Sequence, residues 1–133
     1  MNQSTKQQGH CYCGSVSFEI SGDPVKVAHC HCESCRRSLG AAMVTSAGYF
    51  PKQFQLTGKE PQKFETDDGV TRTFCGRCGS SVSYQREKSK YIFIYLGLFD
   101  NPENLKPEVH MMYSEKVSWM KIDDDLPKSD EFA

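Results

Sequence analysis

The stretch His29-Cys30-His31-Cys32-Glu33-Ser34-Cys35-Arg36 places three thiols within six residues. Two further groups flank it along the chain: Cys11-Tyr12-Cys13-Gly14 before it and Phe74-Cys75-Gly76-Arg77-Cys78-Gly79 after it. The three groups hold all seven cysteines, and none is isolated. A disulfide framework is one use for such a set. An odd count, adjacent Cys-x-Cys pairs that are awkward to bridge and no secretory signal argue for metal instead. Structural zinc takes four protein ligands in a tetrahedron, and seven thiols divide as four plus three. Two pairs from distant parts of the chain make a closed four-thiolate site. Gly14 and Gly79 suit it, because glycine permits the turn that aims backbone N–H groups at sulfur. Cys11, Cys13, Cys75 and Cys78 are therefore assigned to a structural zinc. Cys30, Cys32 and Cys35 are assigned to a second ion, held from three sides with its fourth position open. Two alternatives stay open. One is a single site using four of the seven, with three free thiols; the other is a second site closed by His29, His31 or His110.

Outward from the cysteines the chain reads as short strands. Val16, Phe18 and Ile20 alternate with Ser15, Ser17 and Glu19, the pattern of a half-buried strand. Ser21-Gly22-Asp23-Pro24 is a turn, and residues 25–29 form a second strand running into the central cysteines. Residues 34–39 suit a short helical turn ended by Gly40. Residues 41–50 are extended, residues 51–54 form one helical turn, and residues 63–66 and 71–74 flank Asp67-Asp68-Gly69 as a hairpin. Residues 82–84 restart a strand. Residues 91–96 are the strongest strand of the chain, rich in β-branched and aromatic side chains. A loop at 101–107 precedes a last strand at 109–113. The fold class is mainly β. Residues 1–8 read as a disordered leader, 9–127 as one zinc-binding domain and 128–133 as a flexible tail.

Composition bounds the function. The chain has 133 residues, 16 basic and 17 acidic, for a formal net charge of -1. That balance gives no footprint for nucleic acid or an anionic membrane, and no apolar run approaches the ~20 residues that span a bilayer. The expected compartment is cytoplasmic, where thiols stay reduced.

The motifs also resemble a known family. Residues 11–19 read Cys-x-Cys-Gly-x-Val-x-Phe-Glu, residues 31–36 contain His-Cys-x-x-Cys-Arg, and residues 74–79 read Phe-Cys-x-x-Cys-Gly. With His110-Met111-Met112-Tyr113, Ser118-Trp119 and Asp125-Leu126-Pro127, they resemble the glutathione-dependent formaldehyde-activating enzyme family. The resemblance runs from Gly9 to about Pro127. It implies a zinc-stapled β-tent of small, twisted antiparallel sheets with few helical turns, and the same four-plus-three division of cysteines. It also implies a carbon–sulfur lyase like the S-hydroxymethylglutathione synthases, with a small thiol (glutathione) and an aldehyde (formaldehyde) as substrates. Related folds also serve as protein-binding modules, so fold alone leaves a non-catalytic zinc-stabilised module as the alternative.

Charge tells which chemistry the second ion can support. Zinc held by three thiolates carries a net negative charge and is a poor generator of hydroxide. It remains a good partner for a fourth, substrate thiol, which has a pKa of about 8.5 when free and is deprotonated on coordination. The thiolate can then add to a carbonyl and give a hemithioacetal. This makes Cys30, Cys32 and Cys35 the catalytic centre. Arg36 and Arg37 are candidates to offset the thiolate charge or to hold a substrate carboxylate, against a plain solvated role. Glu33 is a candidate proton shuttle. Tyr49, Phe50, Phe93 and Tyr95 read as core.

Overall fold

A computed structural model describes residues 6–132. Ten strands form two sheets among these residues. The smaller sheet joins β1 (Lys6–His10), β2 (Ser17–Ser21) and β5 (Phe54–Leu56) in the order β1-β2-β5. The larger contains β3 (Lys26–Cys30), β4 (Val44–Tyr49), β6 (Gln62–Glu65), β7 (Val70–Phe74), β8 (Ser81–Arg86), β9 (Ile92–Tyr95) and β10 (Val109–Met111). Its order is β10-β3-β4-β9-β8-β7-β6. A single α-helix among the described residues, α1 (Glu33–Leu39), follows β3 and ends at Gly40 in the left-handed conformation. No helix there is long and apolar enough to cross a membrane. The architecture is the expected mainly-β, β-tent type.

The side-chain patterns explain the layers. Val16, Phe18 and Ile20 are buried, as their alternation requires. β9 is apolar without alternation because it is central and covered on both faces. Phe93 and Tyr95 face one cluster with Ala28, Val44 and Met111, while Ile94 faces another with Phe18, Ile20, Val27 and Tyr49. The three central cysteines belong to the first cluster. The outer cysteines form a third, smaller core with Val16 and Val82.

Four expectations need correction. Residues 6–8 are not leader: they begin β1, which pairs with β2 from Lys6↔Ser21 to His10↔Ser17. Residues 1–5 lie outside the described residues. Residues 54–56, placed at and after a helical turn, form β5 against β2, and the turn itself is a 3-10 helix at Pro51–Gln53. The sheets are not wholly antiparallel, since β10 runs parallel to β3 with His110 opposite His29. Residues 128–132 are not a loose tail. Lys128 bridges to His110, the Tyr113 N–H donates to the Ser129 carbonyl at 2.9 Å, and the Ser129 N–H donates to the His110 carbonyl at 2.8 Å.

Candidate functional site

The outer cysteines meet where β1 leads to β2 and β7 leads to β8. Their sulfurs lie within 4.8 Å of one another. Two matching turns bring them there. In the first, the Gly14 N–H donates to the Cys11 carbonyl at 3.0 Å and the Val16 N–H to Cys11 Sγ at 3.3 Å. In the second, the Gly79 N–H donates to the Cys75 carbonyl at 2.9 Å, and the Arg77 and Cys78 N–H groups point at Cys75 Sγ at 3.4 Å. Gly14 and Gly79 have φ of 85° and 80°, a region that favours glycine. A serine follows each second cysteine by two: Ser15 Oγ lies 3.2 Å from Cys13 Sγ, and Ser80 Oγ lies 3.2 Å from Cys78 Sγ. Hydrogen bonds from Ser15, then from Arg77, draw the Cys13 thiol down to about 5. Ser80 likewise draws Cys78 to about 7.

The donor set fits zinc. Sulfurs at ~2.3 Å around a tetrahedral ion stand about 3.8 Å apart. Cys11 and Cys13 are 3.6 Å apart, and Cys13 and Cys75 are 3.8 Å apart. All seven cysteines are free thiols rather than disulfides.

Cys30 at the end of β3, Cys32 at the cap of α1 and Cys35 in its first turn form the other group, again with sulfurs within 4.8 Å. All three are buried. Cys32 Sγ accepts the Cys35 N–H at 3.2 Å, the N-cap bond that starts the helix. Three sulfurs this close share their protons unequally. Hydrogen bonds from Cys30 and Cys32, with the Arg72 guanidinium beside it, draw Cys35 down to about 3. Hydrogen bonding to Cys32 and Cys35 and burial push Cys30 far above the usual thiol range. Ionising all three in a buried cluster would require a cation among them, and soft thiolate donors suit zinc as well as copper(I) or iron–sulfur clusters.

This second group has an open side. A pocket of about 260 Å³ lies against Cys32 and Cys35, walled by Val70, Arg72, Tyr84, Arg86, Lys88 and Phe132. Arg72 Nη2 donates to Ser34 Oγ at 2.9 Å and points at Cys35 Sγ at 3.8 Å, while Nη1 donates to Tyr95 Oη at 2.8 Å. Arg86 stacks over the Phe132 ring at 4.2 Å. Its Nη1 and the Tyr84 hydroxyl are buried without hydrogen-bond partners among the described residues.

The cations foreseen for this site lie elsewhere. Arg36 Nε donates to the His31 carbonyl at 3.2 Å, and Arg37 Nε pairs with Glu33 on the exposed helix face at 2.7 Å. The guanidinium that reaches the sulfurs is Arg72. The sequence offered one signal for it: Arg72 is a charged residue in phase with Val70 and Phe74, and it is the buried position of β7. No histidine nitrogen joins the trio among the described residues. His31 is turned away to His110, with Nε2 2.9 Å from His110 Nδ1, and His29 Nδ1 is 2.8 Å from Thr45 Oγ1. Tyr49, Phe93 and Tyr95 are core, whereas Phe50 is 36% exposed.

Known proteins resemble this chain in sequence or in fold. The sequence profile of the glutathione-dependent formaldehyde-activating enzyme family matches residues 6–115. A Schizosaccharomyces pombe protein carrying the name uncharacterized lyase is 26% identical over 112 residues, 82% of this chain and 80% of the relative. A crystal structure of a Rhodobacter sphaeroides protein matches with a TM-score of 0.60 at 20% identity, covering 74% of this chain and 94% of that one. At that identity it speaks for the fold alone.

Proposed function

Because the chain belongs to the glutathione-dependent formaldehyde-activating enzyme family, we propose that it is a zinc-dependent carbon–sulfur lyase acting on a glutathione-like thiol and a formaldehyde-like aldehyde. The family and the lyase name of the fission-yeast relative support a lyase. The observation that carries the finer reading is the contrast between the two cysteine groups. One is a four-sulfur set with matching turns; the other is a three-sulfur set with a pocket on its free side.

Cys11, Cys13, Cys75 and Cys78 would hold a structural zinc, and Cys30, Cys32 and Cys35 the second. When bound, the second zinc supplies a coordination position in which a thiol gives up its proton. The rest falls to the chain's own residues. The pocket walls around Cys32 and Cys35 shield the thiolate from bulk water. Arg72 offsets the negative charge gathered beside Cys35. Arg86 Nη1, without a partner among the described residues, suits a carboxylate on the thiol substrate. The substrate sulfur adds to the carbonyl carbon, and the C=O π pair moves onto oxygen. That oxygen accepts a hydrogen bond from the Tyr84 hydroxyl, which has no partner among the described residues, and then takes a proton from solvent. In the lyase direction the hemithioacetal loses that proton, the carbon–sulfur bond breaks, and the thiolate leaves.

The test is thiol binding by the cobalt-substituted protein. Glutathione should strengthen sulfur-to-cobalt charge transfer while the bands stay tetrahedral, and Cys30→Ala should abolish the response. No response to any small thiol would leave the protein as a zinc-stabilised binding module.

A further inference from the structure

Outside the seven cysteines, one more set of ligand atoms converges. A ring nitrogen of His29, a ring nitrogen of His110 and a carboxylate oxygen of Asp124 lie within 4.8 Å of one another. They come from β3, from β10 and from the segment that follows β10. Because β10 runs parallel to β3 with His110 directly opposite His29, both rings leave the same face, and they stack at 4.9 Å. Asp124 meets His110 Nε2 at 2.9 Å through one oxygen and 3.1 Å through the other.

The Nδ1 atom of each ring already has a neighbour. Thr45 Oγ1 fixes His29 Nδ1 at 2.8 Å, and His31 Nε2 fixes His110 Nδ1 at 2.9 Å. Ligating histidines are oriented in this way, by a neighbour on the nitrogen that does not bind metal. It leaves Nε2 of both rings for a cation. A His110–Asp124 hydrogen bond alone would tie the C-terminal segment to β10, but it makes no use of His29.

We propose that His29, His110 and Asp124 form a third metal site, separate from both cysteine groups, for a divalent first-row transition metal. Two imidazoles and one carboxylate suit zinc, cobalt or nickel rather than calcium or magnesium. Donors at ~2.0–2.1 Å around a tetrahedral ion stand about 3.3 Å apart, so His110 and Asp124 are already near that spacing. The half-buried His29 ring has to close by at most about 1.5 Å. The Asp124 side chain is 40% exposed, which gives the site a way in from solvent. Three protein donors leave a position for water. A metal there would also clamp the segment after β10 onto that strand, and that segment carries Phe132, a wall of the thiol pocket.

The test uses the full chain with its cysteine sites first filled with zinc, titrated with Co²⁺ while bound metal and visible absorption are followed. One further equivalent should bind and give d–d bands without a sulfur charge-transfer band. His29→Ala and Asp124→Asn should each weaken it at least tenfold. If His29→Ala fails to fold, Asp124→Asn at its exposed position decides. Three results would overturn the proposal. These are no further equivalent, one that survives Asp124→Asn and so belongs to surface groups such as His10 and Asp100, or one that brings a charge-transfer band from a cysteine site.

Discussion

Arg86 and Tyr84 line one pocket, each with a donor that has no partner among the described residues, and their proposed tasks differ. If Arg86 binds the substrate as proposed, its effect should fall on KM. Arg86→Gln should raise KM about tenfold for a thiol that carries carboxylates, the scale of one charge-assisted hydrogen bond. A neutral thiol should be little affected. If Tyr84 donates to an oxygen that gains charge only as the bond forms, Tyr84→Phe should lower kcat, by about tenfold to a hundredfold, with KM almost unchanged. Steady-state kinetics with both kinds of thiol would separate the roles, and the same loss in all four parameters would remove both assignments. Tyr49 belongs to stability instead. Burial, with Asp23 adding to it, pushes its phenol above the usual value, which is about 10 in an unfolded chain. Above that pH the unfolded state loses a proton that the folded state keeps. The folded state then binds more protons, and stability falls as pH rises. Tyr49→Phe should make that fall shallower in urea titrations between pH 9 and 11. At neutral pH it should change stability by less than about 1 kcal/mol, because the buried hydroxyl has no partner to lose among the described residues.

At the scale of elements, the two cysteine turns and the β3–α1 corner are expected to respond differently to loss of a sulfur. The turns join the two sheets through Cys11, Cys13, Cys75 and Cys78. Cys75→Ser should unfold or strongly destabilise the protein, since binding of a structural zinc is folding free energy. Cys32→Ser alters a corner whose helix and strand also pack on the first core, and should leave a folded protein one metal short. Thermal melts with metal counts would decide, and the opposite pattern would reverse the assignment of structural and open sites. These corners are legible in the sequence because their determinants are local: closely spaced cysteines, a glycine after each outer group and Gly40 at the helix end. β1 is not legible. Its only buried residue is Gly9, and Lys6, Gln7 and Gln8 carry no apolar pattern. It exists because β2 offers it a partner edge. The C-terminal segment is hidden for the same reason, since an acidic stretch does not reveal that its backbone will hydrogen-bond to β10.

Across the whole molecule, hydrophobic alternation and turn chemistry reveal the mainly-β class, and the spacing of the thiols foretells which sulfurs converge. The pocket is another matter. Arg72 and Arg86 come from β7 and β8, Cys35 from α1 and Phe132 from the chain's end, so its make-up depends on strand register and long-range return of the chain. Those are properties of the fold rather than of any local stretch. The same convergence underlies the central claim, that an open three-thiolate site joins a thiol to an aldehyde and reverses the step. Uncatalysed addition also proceeds, so product formation alone decides nothing. The direct measurement is the rate of exchange between thiol, aldehyde and hemithioacetal near equilibrium, by magnetization-transfer NMR at matched free concentrations, with the second zinc confirmed by metal count. The native protein should exceed both Cys35→Ser and buffer by tenfold or more for at least one thiol–aldehyde pair, about 1.4 kcal/mol of barrier. Equal rates with glutathione and formaldehyde would exclude that pair; equal rates across a panel of thiols and aldehydes would contradict the claim itself.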